Sequence, residues 1–305
     1  MVLKNYIYGR EQRVVSDEIH SDARLIRHGV LQGSCLSSLL FLIYMNDIFE
    51  VKFKGYVQLY ADDIIMIYTC NGVEEMFENM KTDLDALNVW LYDNMLTMNA
   101  RKTKYMIFST GTSEPLTFPR FRLNNMEIER TTEVRYLGLL IDQQLKFNLH
   151  VNKVKILIGP ILATLKYARY LIPSQTKLSM YYAYVQSHLQ YLISVWGYSA
   201  NTRLRPLQMM QNKAIRRIFW DEYNQDGTDT EALFQRHGIL NIRQLLKYDS
   251  LLLIFKIKHE MIKTGLTFQV FSEVHSYETR NRNNFVLPRI RTNMLSNSLI
   301  SKGLR

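Results

Sequence analysis

The chain has 305 residues, of which 47% are hydrophobic and 22% charged, so it can bury a sizeable core and is not a disordered tail. Lys and Arg number 38 against 28 Asp and Glu, and the net charge of +10 suits a polyanion, either nucleic acid or an acidic membrane surface. Two cysteines, no apolar leader after Met1, and no apolar run near the length of a membrane span exclude a disulfide scaffold, a secreted protein and a membrane protein; the expected location is the cytoplasm or nucleus.

Residues 1–142 read as mixed strands and helices. Gln12 to Val15 predicts a short strand. His28-Gly29-Val30-Leu31-Gln32-Gly33-Ser34 is a loop whose two glycines allow close approach of backbone to a ligand, although an ordinary loop before a helix has the same look. A helix follows, with Leu36, Leu39, Leu40 and Ile43 on one face and Ser37 as its expected N-cap. Gly55 to Tyr68 is apolar and aromatic with an acidic break, Tyr60-Ala61-Asp62-Asp63, which predicts a hairpin. Two adjacent carboxylates at a rigid turn repel each other, and a hard divalent cation relieves that repulsion; equally, Asp is a common turn residue. Val73, Met76, Met80, Leu84, Leu87 and Leu91 recur at helical spacing. Tyr105 to Phe108, Phe121 to Leu123 and Val134 to Ile141 predict further strands.

Residues 143–220 contain no Asp or Glu and eleven Lys or Arg, and they read as helical. Leu207, Met210, Ala214 and Ile218 predict a buried stripe, with Lys213, Arg216 and Arg217 on the wetter side. A solvated basic face is the plain meaning of such a run; interleaved tyrosines also suit phosphates and bases. Acids return from Asp221, Asn241 to Ile262 predicts another helix, and the tail after Thr279 is polar and Arg-rich.

Taken in order, Gly29-Val-x-Gln-Gly-Ser-x-Leu36, Leu39 to Asp47, and Tyr60-Ala-Asp-Asp63 resemble the reverse transcriptases of non-LTR retrotransposons, the jockey-like group in particular. Met98-Asn-Ala-Arg-Lys-Thr-Lys104 resembles the family's LNxxKT segment, and Val134-Arg-Tyr-Leu-Gly138 with Ile141-Asp142 its primer-grip hairpin. His188-Leu-Gln-Tyr191, Trp196-Gly197 and Leu207 to Lys213 resemble the thumb and the helices beyond it.

The resemblance implies an α+β fold: a partial right-hand polymerase palm of antiparallel sheet with packed helices over 1–142, a basic all-α thumb over 143–220, and a helical extension with a polar tail over 221–305. It implies RNA-directed DNA polymerase chemistry with two Mg²⁺ ions, or Mn²⁺, an RNA template, a DNA primer and dNTPs. Asp62 and Asp63 would be the catalytic metal ligands, and Lys102 the cation facing the departing pyrophosphate. Gln32, Gly33, Ser34, Tyr60 and Ala61 would line the template and nucleotide pocket. Tyr136, Leu137 and Gly138 would grip the primer, while Lys153, Lys155, Lys166, Arg169, Lys213, Arg216 and Arg217 would meet the nucleic-acid backbone.

Three positions depart from the family pattern. Leu31 and Ser38 stand where the family has Pro. The family's first catalytic Asp lies about fifty residues before the glycine loop, whereas 28 residues precede Gly29, and Asp17 and Asp22 fall in a polar hairpin position. The resemblance thus implies a polymerase segment that does not polymerise alone, with a non-catalytic nucleic-acid binder or a relic of such an element as the alternatives.

Overall fold

Contacts divide the chain into two units, residues 1–104 with 116–129 and residues 105–115 with 130–305. The computed structural model describes residues 2–70, 72–108, 120–123, 126–224, 226–266, 268–274, 282, 284–286 and 298–303. The basic tail after Thr279 lies mostly outside these residues.

The first unit begins with α1 (Val2–Ile7) and two small ladders, β1 (Glu11–Gln12) with β4 (Arg24–Leu25) and, nested inside it, β2 (Val15–Ser16) with β3 (Ile19–His20). The single strand expected at Gln12 to Val15 is therefore two. Helix α2 (Cys35–Met45) runs into a 3₁₀ turn, Asn46–Glu50. It is capped by Ser34, whose hydroxyl accepts from the Leu36 N–H, and not by Ser37, which lies inside the first turn. Leu36 and Leu40 are half-buried as expected, but Leu39 and Ile43 face solvent. Almost every side chain of α2 is apolar, so periodicity could not say which edge would pack.

Strands β5 (Tyr56–Tyr60) and β6 (Asp63–Ile67) form an antiparallel hairpin, and the long helix α3 (Val73–Asp93) follows. Leu59, Ile64 and Met66 pack on a core of Met45, Ile48, Leu87, Trp90 and Leu91. The stripe on α3 is rotated slightly from the predicted one: Phe77, Asp83, Leu87, Trp90 and Leu91 are buried, Met76, Met80 and Leu84 half-buried, and Val73 exposed. Two short ladders follow in the chain: β7 (Lys104–Tyr105) with β10 (Glu129–Arg130), and β8 (Arg122–Leu123) with β9 (Met126–Glu127). A Lys104–Glu129 ion pair of 3.1 Å spans the first of them. Tyr105 alone of the expected Tyr105 to Phe108 strand is extended in a ladder.

The second unit opens with the hairpin β11 (Glu133–Tyr136) and β12 (Leu139–Asp142). Helices α4 (Asn148–Tyr167), α5 (Ser174–Tyr181), α6 (Ser187–Gln190), α7 (Ile193–Trp196), α8 (Asn201–Ile218), α9 (Trp220–Asn224), α10 (Thr230–Arg236), α11 (Ile242–Lys258) and α12 (Phe271–Val274) follow, with a π-helical turn at Tyr182–Gln186. One continuous core runs through Val151, Ile158 and Leu165 of α4, Tyr181, Trp196, Leu207, Ile215 and Ile218 of α8, and Leu233 and Leu245. The predicted α8 stripe is buried at Leu207, Ala214 and Ile218 and half-buried at Met210. Gln211 is buried with it: its amide donates to the Tyr181 hydroxyl (2.8 Å) and to the Leu240 carbonyl (2.9 Å). Helix α11 starts in a capping box of Asn241 and Gln244, and the neighbouring Gln208 side chain accepts from the Ile242 N–H at 3.0 Å. Among the described residues, every sheet has two strands, and no helix is long and apolar enough to cross a membrane.

Candidate nucleotidyl-transfer and nucleic-acid site

Ala61 and Asp62 form the two-residue turn between β5 and β6, with Tyr60 opposite Asp63 in the ladder. Alternation along β5 turns Val57 and Leu59 inward and leaves Tyr60 outward, so both carboxylates are exposed at the tip. Ala61 adopts a positive φ of 51°, which costs about 1 kcal/mol for a residue with a Cβ and marks a turn held by its surroundings. Neither Asp62 nor Asp63 has an ion-pair partner among the described residues.

What holds the hairpin is Asp83 on α3. It is 1% exposed and accepts from the Lys54 N–H (3.0 Å) and the Gly55 N–H (2.9 Å), the two residues that lead into β5. Gly55 lies against the Tyr68 ring so closely that an added Cβ would sit 2.5 Å from it. Burial, and then the negative Asp83 beside it, push the Tyr68 hydroxyl well above its ordinary range, so it stays a neutral donor. Sequence reasoning passed over Asp83 because it is charged, yet its position three residues after Met80 and four before Leu87 puts it on the apolar stripe.

The glycine loop is built from the same unit. Gly29 and Gly33 have φ of +80° and +83°, a conformation that a side chain would strain. The Arg10 guanidinium donates to the Gly29 carbonyl at 2.5 Å, the Ser37 hydroxyl donates to the Leu31 carbonyl, and the Tyr6 hydroxyl shares a 2.8 Å hydrogen bond with Ser37. Side-chain hydrogen bonding with Ser34, then with Ser37, holds the Tyr6 phenol below its usual pKa. Gln32 and Gly33 are exposed and Ser34 half-buried at the start of α2. No hydrogen bond joins this loop to the Asp62 turn among the described residues. Lys102 is exposed; its backbone N–H donates to the Asn99 carbonyl in a tight turn that presents the side chain to solvent.

In the second unit, Leu137 and Gly138 form the β11–β12 turn, with φ of +44° and +82°. The seven basic residues expected on nucleic acid divide into two sets. Lys166 and Lys213 are exposed, and Lys155 donates to the Asn152 side-chain carbonyl at 3.4 Å. The others are engaged by the protein. Lys153 donates to the Gly138 carbonyl (3.0 Å), Arg217 to the Leu162 carbonyl (2.5 Å) and Arg216 to the Thr230 hydroxyl (2.6 Å). The Arg169 guanidinium lies 3.9 Å from the Trp220 ring centre and 4.5 Å from that of Tyr170. Burial, and then Arg169, hold the Arg217 guanidinium below its ordinary pKa.

A metal fits this donor set only in part. Asp62 and Asp63 offer hard carboxylate oxygens suited to Mg²⁺ or Mn²⁺. Among the described residues no three His, Cys, Asp or Glu side chains gather at one point. Two exposed carboxylates can share one hydrated ion, but they do not make a two-ion centre.

The reverse transcriptase (RNA-dependent DNA polymerase) family matches residues 2–141. The chain is 28% identical over 248 residues to the probable RNA-directed DNA polymerase from transposon BS of Drosophila melanogaster, covering 78% of this chain and 27% of the relative. It is 26% identical over 227 residues to the RNA-directed DNA polymerase from mobile element jockey of Drosophila funebris, 71% of this chain and 24% of the relative. The probable polymerase from transposon X-element of Drosophila melanogaster is 23% identical over 224 residues, again 71% and 24%. The chain spans about a quarter of the length of these relatives. No solved structure matches it significantly.

Proposed function

We propose that the chain, whose residues 2–141 match the reverse transcriptase family and which is similar to the polymerases of jockey-like mobile elements, is a segment of a non-LTR retrotransposon's RNA-directed DNA polymerase. In this reading residues 1–142 are part of the palm, 143–220 the thumb and 221–305 a helical extension. The observation that carries it is the placement of Tyr60-Ala61-Asp62-Asp63: the two carboxylates stand exposed at the tip of a hairpin whose inner face is packed and whose base is fixed by Asp83.

The chemistry is transfer of a nucleotide onto a primer 3′-hydroxyl, templated by RNA. Divalent ions would supply charge neutralisation of the reacting phosphate there, and Asp62 and Asp63 are the residues that would hold one. The residues described here do not complete a pair of ions, so no catalytic step is assigned to them alone. A further carboxylate would come from elsewhere in a longer protein, in keeping with relatives of which the chain spans about a quarter. Gln32 and Gly33, held by the tethered loop, would face the template base and incoming nucleotide. Lys102 would offset developing charge on the pyrophosphate, and Tyr136 to Gly138 would hold the primer end. Of the seven basic residues expected on nucleic acid, Lys166 and Lys213 stand exposed and would meet phosphate.

Binding of a fluorescent RNA-template/DNA-primer duplex, followed by anisotropy across salt, tests this reading. The affinity is expected to fall with salt at a log–log slope of about −2 or steeper, near 0.9 for each exposed lysine that meets a phosphate. Absence of binding at low salt would contradict it.

A non-catalytic binder is the second reading: among the described residues no three metal-ligating side chains gather at one point, and this reading shares the same binding prediction.

A further inference from the structure

Two backbone carbonyls at the β11–β12 turn are taken by side chains from far along the chain. Leu137 and Gly138 both have positive φ, as a two-residue hairpin turn with this twist demands, and Leu137 is strained there. The Tyr191 hydroxyl donates to the Leu137 carbonyl at 2.5 Å, and the Lys153 ammonium donates to the Gly138 carbonyl at 3.0 Å. The Tyr191 ring also covers Gly138, where an added Cβ would stand 3.4 Å from it.

Tyr191 is itself fixed, and Lys153 stands on α4 beside His150. Trp196, fully buried, donates its indole N–H to the Tyr191 carbonyl at 2.8 Å, and Leu192 next to it adopts a positive φ of 53°. The Trp196 ring packs on His150, 5.3 Å between centres, and the His150 Nδ1 accepts from the Leu140 N–H at 3.4 Å. The hairpin is thus held at three positions, 137, 138 and 140, by residues of α4 and of the stretch 191–196. The His188-to-Trp196 segment thereby acquires a task, and Lys153 acquires one other than meeting phosphate.

We propose that Tyr191 and Lys153 are positioning residues that fix the Leu137–Gly138 turn and thereby set where a primer 3′ end is held; this rests on reading that turn as a primer grip. With both carbonyls tied back to the helices, the turn cannot swing as a free hairpin would, and its outer face keeps one presentation. A turn so fixed loses less entropy when a strand end docks on it.

The experiment uses the 305-residue chain with Tyr191→Phe, Lys153→Met and the conservative Lys153→Arg. Hydrogen exchange of the segment 136–139 reads the clamp without nucleic acid. Tyr191→Phe and Lys153→Met are expected to speed exchange about threefold to tenfold, with Lys153→Arg close to wild type. Unchanged exchange in both variants would overturn the clamp. Anisotropy then compares a duplex with a recessed 3′ end against a blunt duplex of equal length. The wild-type preference for the recessed end should shrink by a similar factor in both variants while blunt-duplex affinity holds. Faster exchange with an undiminished preference would make the clamp merely structural and overturn the positioning role. A wild type with no preference at all would instead remove the primer-grip reading, and with it this role, while the exchange data still report whether the clamp exists.

Discussion

The Asp83 carboxylate accepts hydrogen bonds from the backbone N–H groups of Lys54 and Gly55, 29 and 28 residues upstream, and so ties the middle of a helix to the root of the carboxylate-bearing hairpin. Among the described residues Asp83 has no Lys or Arg ion-pair partner; two peptide N–H groups satisfy its oxygens instead. Asp83→Ala orphans two N–H groups and leaves a void. We expect a loss of about 2–4 kcal/mol in urea unfolding followed by the fluorescence of Trp90. A change below about 0.5 kcal/mol would mean these hydrogen bonds contribute little.

Gly55→Ala should be damaging for a steric reason, because its Cβ would meet the Tyr68 ring at 2.5 Å. Tyr68→Leu in the same chain should recover part of the stability. Additive losses in the double variant would contradict the clash.

His150 supplies a pH dependence. Its imidazole is 4% exposed, and burial, followed by the positive Lys153, lowers its pKa from 6.5 to about 4. The unfolded chain therefore binds the proton more readily than the folded one between these values. The contribution is fully present above about pH 6.5 and is lost as pH falls toward 4, amounting to about 3 kcal/mol at most. His150→Asn keeps an acceptor for the Leu140 N–H and has no titrating ring. Its stability should be flatter than wild type between pH 6.5 and 4 in denaturant titrations, and parallel curves would refute the assignment.

The two sets of basic residues should behave differently on nucleic acid. Lys166→Gln with Lys213→Gln should flatten the salt slope of duplex binding by about 2, near 0.9 for each phosphate that is no longer neutralised. Arg217→Met should leave that slope alone and lower stability, because its guanidinium caps the Leu162 carbonyl inside the helical block. A slope changed by Arg217→Met and untouched by the lysine pair would reverse the assignment.

Much of this fold was legible locally. The Gly55-to-Tyr68 hairpin, the long helix from Val73 and the Leu207/Ala214/Ile218 stripe follow from periods of two and 3.6 that the structure keeps. Helix α2 resisted because it is apolar all round, and its cap fell on Ser34 because the helix begins at Cys35, two residues earlier than Ser37. The carboxylate turn was visible as a tetrapeptide between apolar strands. Its anchor was not, since a buried Asp satisfied by backbone amides leaves only a charge within an apolar stripe. Arg216 and Arg217 looked like surface cations for the opposite reason: their partners, Thr230 and Leu162, lie 14 and 55 residues away. Tyr191 and Leu137 are 54 residues apart, and no local pattern pairs them.

Primer extension tests the central claim most directly. The 305-residue chain and its Asp62→Ala variant would be given an RNA template, an annealed DNA primer and dNTPs, with Mg²⁺ and then Mn²⁺. Among the described residues Asp62 and Asp63 alone gather at the hairpin tip, so neither protein is expected to add a nucleotide although the wild type holds the duplex. Template-directed addition by the wild type that disappears in Asp62→Ala would contradict it, and would show a complete metal centre within these residues.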